Sequence, residues 1–278
     1  MSDMYLDYWQ LESKPFEPVC DERFIHESKG WQSAMHRLRY AVENRRAAAL
    51  LAGPSGVGKS LLAETLALQL GPQVAPWVRV VFPQMSPGDL LVYLAEELGA
   101  PPAAPPRHTV EESLRRLEFV FAENARRGRH ALLIVDESHL LEDAGLFEPL
   151  RLLLNLTGPG GLPLFTLVLV GEPTLVPMVQ RYAALDERID VRALLPALTL
   201  EETSAYVRGR LAAAGATREI FTNEAALEVY RLTAGVPRRI NRLCDLALLV
   251  AYADGQPCVE ADQLRAVSEE LVTLAHAA

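Results

Sequence analysis

Residues 53–60 read GPSGVGKS, a glycine-rich segment set between an apolar run, AAALLA at 47–52, and a helix-forming run, SLLAETLALQL at 60–70. The apolar run has the length of a buried strand and stops at Gly53, and the helical run stops at Gly71-Pro72. Strand, glycine-rich turn and helix in that order make a phosphate-binding loop. Gly53, Gly56 and Gly58 let the backbone curl, so that successive N–H groups converge on phosphate oxygens. The helix start adds the positive end of its dipole. Lys59 supplies a point charge for the outer phosphates, and Ser60 offers a hydroxyl to Mg2+. Gly53, Pro54, Ser55, Gly56, Val57, Gly58, Lys59, Ser60 and Leu61 are therefore expected to line ATP or ADP, with Ser60 also at the metal. The competing reading is a chance glycine-rich turn. Strand–helix context argues against it, and so does lysine usage: of 27 Lys and Arg residues only Lys14, Lys29 and Lys59 are lysines, and one of them stands here.

The alternation continues outward. WVRVVF (77–82), ALLIV (131–135), FTLVLVG (165–171) and VRALL (191–195) read as further strands. Between them lie helices from Lys29 to about Asn44, after the Ser86 cap with Pro87 at its first position, from the Thr109/Glu112 capping box to about Arg127, and at 146–156. Strands this uniformly apolar, alternating with helices, argue an α/β fold with a parallel sheet covered on both faces. Ligands of such a sheet lie at the C-terminal ends of its strands. Asp136-Glu137 follows ALLIV at that edge. Asp136 is expected to hold Mg2+ through water, and Glu137 to orient or deprotonate the attacking water; a solvated acidic turn is the alternative. Glu172, after FTLVLVG, or Thr166 within it, is a candidate for contact with the terminal phosphate. Arg188, in LDERIDV, sits at the lip of the last strand. It is a candidate arginine finger for a neighbouring subunit's nucleotide, with Arg181 and Arg192 as weaker candidates, against a surface arginine paired with Asp186 or Asp190. Arg238, in GVPRRINR (235–242), opens a helix, where a positive side chain opposes the dipole. Contact with nucleotide phosphates across a domain cleft explains it better than a basic surface cluster, and Arg239 and Arg242 are left as ordinary charges.

Three domains follow: an irregular aromatic-rich lead at 1–28 packing on the body, an α/β nucleotide-binding domain at 29–197, and a small all-helical domain at 198–278. The last is marked by the Thr199/Glu202 capping box, a Thr222 cap, the Gly235-Val236-Pro237 break and a final helix at about 260–275. The net charge of −9 excludes a general nucleic-acid coat, which needs a positive field. The short basic runs Arg126-Arg127-Gly128-Arg129 and Arg45-Arg46 lack interleaved aromatics and read as solvated helix ends. Cys20, Cys244 and Cys258 are too few and scattered for a disulfide framework or zinc site and read as small hydrophobes in a reducing compartment. The N-terminus has no basic region before an apolar run, and LALLVAYA (246–253) is too short to span a bilayer. A cytoplasmic location is expected.

Several segments together carry a family resemblance: YLDYWQLESKPFEP (5–18) with DERFI, RLRYAVENRRAAALLAGPSGVGKS (37–60), VDESHLL (135–141), LVGEPTL (169–175) and TAGVPRRINRLCDLALLVAYA (233–253). With them the chain, to about residue 255, resembles the AAA+ ATPases, and among these the bacterial general secretion pathway protein A (ExeA-type) family. The resemblance implies a P-loop NTPase sheet followed by a helical lid. It gives Lys59 and Ser60 the nucleotide-loop roles, Asp136 the magnesium role, Glu137 the catalytic role and Arg238 the second-domain sensor role. Glu172 stands where relatives carry a glutamine as first sensor, and an ionised carboxylate there would repel the γ-phosphate; His139 also replaces a glutamine. The family continues into a transmembrane helix and a periplasmic part, so this chain reads as a cytoplasmic relative or an isolated ATPase domain. The function implied is ATP hydrolysis with Mg2+, coupled to assembly or remodelling of a secretion or envelope complex. Partners would be further copies in a nucleotide-dependent ring such as a hexamer and a protein of the larger assembly, which could hold the chain at the inner membrane. The alternatives are an ATP-gated DNA-binding regulator like the transposition ATPases and a non-hydrolysing scaffold.

Overall fold

The computed structural model describes residues 2–17, 21–81, 84–101 and 109–276. In chain order the elements are α1 (Ser2–Trp9), α2 (Lys29–Glu43), β1 (Ala48–Ala52), α3 (Lys59–Gln69), β2 (Val74–Val80), α4 (Pro87–Glu97), α5 (Val110–Arg126), β3 (His130–Val135), α6 (Phe147–Leu153), β4 (Phe165–Gly171), α7 (Leu175–Arg181), α8 (Ala183–Asp186), β5 (Ile189–Leu194), α9 (Leu200–Ala213), α10 (Asn223–Thr233), α11 (Pro237–Ala253) and α12 (Ala261–His276). The chain divides into two units: an α/β unit of residues 31–54 and 59–195, and a helical unit of residues 1–30, 55–58 and 196–278.

The α/β unit is built on a parallel sheet in the order β2-β3-β4-β1-β5. Every residue of β1, β3 and β4 is buried, which is why their sequences are apolar but for His130 and Thr166. On one face, Leu50, Leu133, Leu167 and Leu169 form a core with Leu90, Leu94, Phe121, Phe147 and Leu150 of the covering helices. Ser86 caps α4 by accepting from Asp89 N–H, and Thr109 caps α5 by accepting from Glu112 N–H. One strand departs from its sequence reading. β2 begins at Val74 and not at Trp77, taking in Pro76, and its register with β3 shifts between Val74 and Trp77. Proline has no N–H to give a ladder, and β2 lies at the sheet's edge, where that loss is tolerated. Phe82, most of the proline-rich loop (102–107) and Cys20 lie outside the described residues.

At the start of the sheet, Thr166 Oγ donates to the Arg46 carbonyl at 2.7 Å, so its lone pair is left to accept from His130 Nε2 at 2.8 Å. His130 is buried, and desolvation together with the nearby Arg45 charge lowers its pKa to about 4.

In the helical unit, Tyr5, Trp9 and Phe16 bury against Tyr206, Ile240, Ala247 and Leu248. The lead is therefore not irregular throughout: Ser2–Trp9 is helical, since the four-residue spacing of Tyr5 and Trp9 sets both rings on one face. Trp9 Nε1 donates to the Leu248 carbonyl at 3.2 Å. Arg210 ties the lead down. Its guanidinium donates to the carbonyls of Pro15 (2.5 Å) and Glu17 (2.7 Å) and lies 4.5 Å over the Phe24 ring. The Thr199/Glu202 capping box is complete, and Glu202 also accepts from Lys29 N–H. LALLVAYA belongs to α11, whose Ala247, Leu248 and Ala251 are core; no helix among the described residues is long and apolar enough to cross a membrane. Cys244 is buried, which pushes its thiol pKa up, and Cys258 is half-buried.

Arg210→Met is expected to destabilise the helical unit by about 3 kcal/mol, the scale of two hydrogen bonds from a charged donor with their carbonyls left unpaired. Urea unfolding measures this, and limited proteolysis should show earlier cleavage in the lead. His130 titrates near pH 6.5 when unfolded but near pH 4 when folded, so the stability it contributes is full above pH 6.5. That stability falls between pH 6.5 and 4, by about 3 kcal/mol in total, and is level below. Urea midpoints of His130→Gln should fall less over this range than those of the unsubstituted chain; equal slopes refute the assignment.

Candidate functional site

Strand order decides where chemistry can lie. β3, β4 and β1 are neighbours running the same way, with Ala52 paired to Gly171 and Val135 to Leu169. Their C-terminal ends therefore deliver the glycine-rich loop, Glu172 and Asp136-Glu137 to one edge of the sheet. The Gly53 N–H donates to the Gly171 carbonyl at 3.2 Å, which fixes where the loop leaves β1.

Within the loop, Gly56 and Gly58 have φ of +81° and +98°, values that L side chains avoid. Ser55 is exposed, Val57 is buried, and Ser60 and Leu61 are half-buried in the first turn of α3. Lys59 is buried, 8% exposed, with Nζ donating to the Pro54 carbonyl at 2.9 Å. Its ammonium is thus folded back over the loop that carries it.

The loop tip, residues 55–58, belongs to the helical unit and docks on the start of α11. Arg238 N–H, in the first turn of α11, donates to the Gly56 carbonyl at 3.1 Å. A Cβ on Gly56 would stand 2.8 Å from Arg238 Cβ and 3.2 Å from Val236 Cγ1. Gly235, three residues before Arg238, has φ +70°, and a Cβ there would meet the Leu198 carbonyl oxygen at 2.0 Å. Arg238 is thereby brought beside the loop through its own main chain. Arg239 and Arg242 are exposed.

Asp136 is buried, 2% exposed. Its Oδ1 accepts from Glu137 N–H at 2.9 Å and its Oδ2 from an Arg79 N–H at 2.7 Å. Glu137 has φ +50°, ψ +37°, a left-handed conformation that is uncommon for a residue with a side chain and recurs at functional sites. The turn aims Glu137 outward, its side chain 49% exposed, with Oε2 3.4 Å from His139 Nδ1. Glu172 is half-buried at the end of β4, and its carbonyl accepts from Leu175 N–H.

Two candidates lie elsewhere. Thr166 is at the start of β4, held by His130 and Arg46 at the opposite edge, so it cannot reach a phosphate in the loop. Arg188 precedes β5, also at the N-terminal edge. It pairs with neither Asp186 nor Asp190 but donates to the Leu154 carbonyl (3.2 Å) and Asn155 Oδ1 (2.8 Å). Asp186 is taken by Arg192 and Glu142 by Arg181. The basic run at 126–127 faces Glu123, which both arginines contact.

The donors suit a hard divalent cation bound together with a phosphate. Ser60 and Asp136 offer oxygen ligands, as Mg2+ requires, and the buried Asp136 carboxylate already draws a cation, the Arg79 guanidinium, against it. Among the described residues no cluster of three or more His, Cys, Asp or Glu could hold a metal ion. Arg79 and its second partner, Glu64, were not read from sequence; the signal available was a lone arginine inside the apolar run WVRVVF.

A glycine-rich loop, a lysine and a strand-end acid on a five-stranded parallel sheet, with helices following, define a P-loop NTPase of the AAA+ class. Residues 42–179 match the family model described as AAA domain. Over 259 residues it is 32% identical to General secretion pathway protein A of Aeromonas hydrophila; the alignment covers 91% of this chain and 46% of that protein, so the chain spans about half the length of this curated relative. Among solved structures it is similar to the Aeropyrum pernix ORC2 protein in its ADPNP-ADP complexes (TM-score 0.67, 16% identity, 93% of this chain and 72% of that one). It is likewise similar to the Aeropyrum pernix ORC1 protein in complex with DNA (TM-score 0.68, 18% identity, 94% and 71%). At these identities the likeness is one of fold.

Gly56→Ala places a side chain where φ is positive and where Arg238 already stands. Fluorescent ADP titration should show affinity at least about tenfold weaker, as strain of 1–3 kcal/mol is relieved by distorting the loop. Unchanged affinity would mean that the loop tip does not take the phosphates.

Proposed function

We propose that this chain binds ATP with Mg2+ and hydrolyses it to ADP and phosphate, driving assembly or remodelling of a bacterial secretion- or envelope-type complex. The observation that carries this reading is the alignment at one sheet edge of the phosphate loop with a buried Asp136 and an outward-turned Glu137. Loop N–H groups and Lys59 bind and orient the phosphates, and catalysis is then positioning and electrostatics. Lys59 exchanges the Pro54 carbonyl for phosphate oxygens. Glu137 receives a proton from the water that attacks the γ-phosphorus as the bond from that phosphorus to the β–γ bridging oxygen breaks. Ser60 and Asp136 would hold Mg2+, which supplies positive charge against the developing negative charge on the phosphate oxygens. Arg238, whose N–H meets the loop tip at Gly56, serves as a further contact to the nucleotide. Glu172, at the end of β4 on the same sheet edge, takes part by orienting water.

Arg188 lies at the sheet edge away from its own chain's loop, so it can act only on another copy's nucleotide. This supports a nucleotide-dependent oligomer, a ring, as the active form, with a protein of the larger assembly as partner. We place that work in the cytoplasm, peripheral to the inner membrane through the partner. The pairing of Arg126 and Arg127 with Glu123 weighs against DNA as ligand.

Glu137→Gln should lower turnover by about 10²–10⁴-fold while nucleotide still binds; turnover equal to that of the unsubstituted chain would favour a non-hydrolysing scaffold. For the shared site, Arg188→Ala and Glu137→Gln chains should each be inactive alone. Mixing them should restore turnover, because one keeps an intact site and the other an intact finger, a contribution worth about 10³–10⁵-fold where such fingers act. Mixtures no more active than their parts refute the finger.

A further inference from the structure

Arg79 touches Asp136 yet has no part in the hydrolytic scheme. It comes from β2, where the register sets Arg79 beside Ile134 and Val80 beside Val135. From there its guanidinium spans two carboxylates: Asp136 Oδ2 at 2.7 Å and Glu64 Oε2 at 3.1 Å. Asp136 is 3% exposed at its side chain, Arg79 20% and Glu64 39%. Glu64 belongs to α3, the helix into which the phosphate loop opens. Arg79 Nε is buried without a partner, so the fork is split between two acids and fully engages neither.

We propose that Arg79 is a placeholder cation: without nucleotide its guanidinium occupies the edge of Asp136 that Mg2+ requires, and metal binding displaces it toward Glu64. The inference rests on the reading of Asp136 as the magnesium residue. A buried carboxylate needs a cation in every state, because an unpaired one is strongly disfavoured. Arginine cannot yield by losing its proton, so the repulsion between guanidinium and Mg2+ is relieved by movement. Glu64, more exposed and already in contact, gives the displaced charge a place to rest. Asp136 is thus kept ordered while the site is vacant, and it recruits the ion only when phosphates add their own charge. A residue that merely positioned Asp136 would stay on it as the ion binds, and its removal would make metal binding harder.

The test is titration of Mg2+ against a fluorescent ATP analogue bound to the chain, compared with Arg79→Gln, Glu64→Gln and Asp136→Asn. Arg79→Gln should lower the half-saturating Mg2+ concentration about tenfold, the scale of one competing charge-assisted hydrogen bond. Glu64→Gln should raise it, since the guanidinium is then left with Asp136 alone. Melting curves should show Arg79→Gln less stable without ligand and gaining more from Mg2+-nucleotide than the unsubstituted chain. An unchanged or higher Mg2+ requirement in Arg79→Gln overturns the proposal; if that variant does not fold, an unchanged or lower requirement in Glu64→Gln does so. Asp136→Asn separates the two readings. Mg2+ dependence that persists there removes Asp136 as the metal residue and the placeholder with it. Dependence that vanishes there, with Arg79→Gln and Glu64→Gln unaltered, removes the placeholder alone.

Discussion

The inner strands β3, β4 and β1 are buried on both faces, and that burial confines the chemistry of the α/β unit to their ends. A charge within these strands would have to be desolvated without a partner, at a cost that the sheet cannot recover. At the N-terminal edge, Thr166 and His130 satisfy each other and the Arg46 carbonyl, and the result is structural. At the C-terminal edge the loop, Asp136, Glu137 and Glu172 emerge side by side. The two edges differ in what the chain does next. One ties Thr166 and His130 to the Arg46 carbonyl, and the other turns the Glu137 side chain outward.

Much of this was legible in the sequence because it rests on local signals. Uniformly apolar runs of strand length gave β1, β3 and β4, and Ser86, Thr109, Thr199 and Thr222 each cap the helix that their spacing marks. The phosphate loop was legible because its physics is contained in eight consecutive residues. What was missed depends on partners distant in sequence. The helix α1 shows itself only when Tyr5 and Trp9 find α11. Thr166 looked like a phosphate contact until the strand it begins was laid against His130 and Arg46. Arg79 was not singled out, since WVRVVF by itself does not reveal that Asp136, 57 residues away, lies across the ladder.

With lysine scarce, the chain distributes its positive charge through arginine, and the uses are not equivalent. Arg210 is structural, binding main-chain carbonyls from a buried position. Arg181 and Arg192 are paired off near the surface, where such bridges contribute little. Arg238 approaches the loop through its N–H. Arg79 uses the one property that lysine lacks, a fork wide enough to contact two acids at once. Lys59 carries a compact charge, held against the Pro54 carbonyl of its own loop.

The Trp9–Leu248 hydrogen bond joins residues 239 positions apart, and the helical unit draws on three separate stretches of chain. On a ribosome making about 5–20 residues per second, Trp9 waits on the order of 10–50 seconds for its partner to be synthesised. For that interval Tyr5, Trp9 and Phe16 are an apolar segment with no core to enter, while the α/β unit beside them can already close. The lead is thus made well before the helix that buries it.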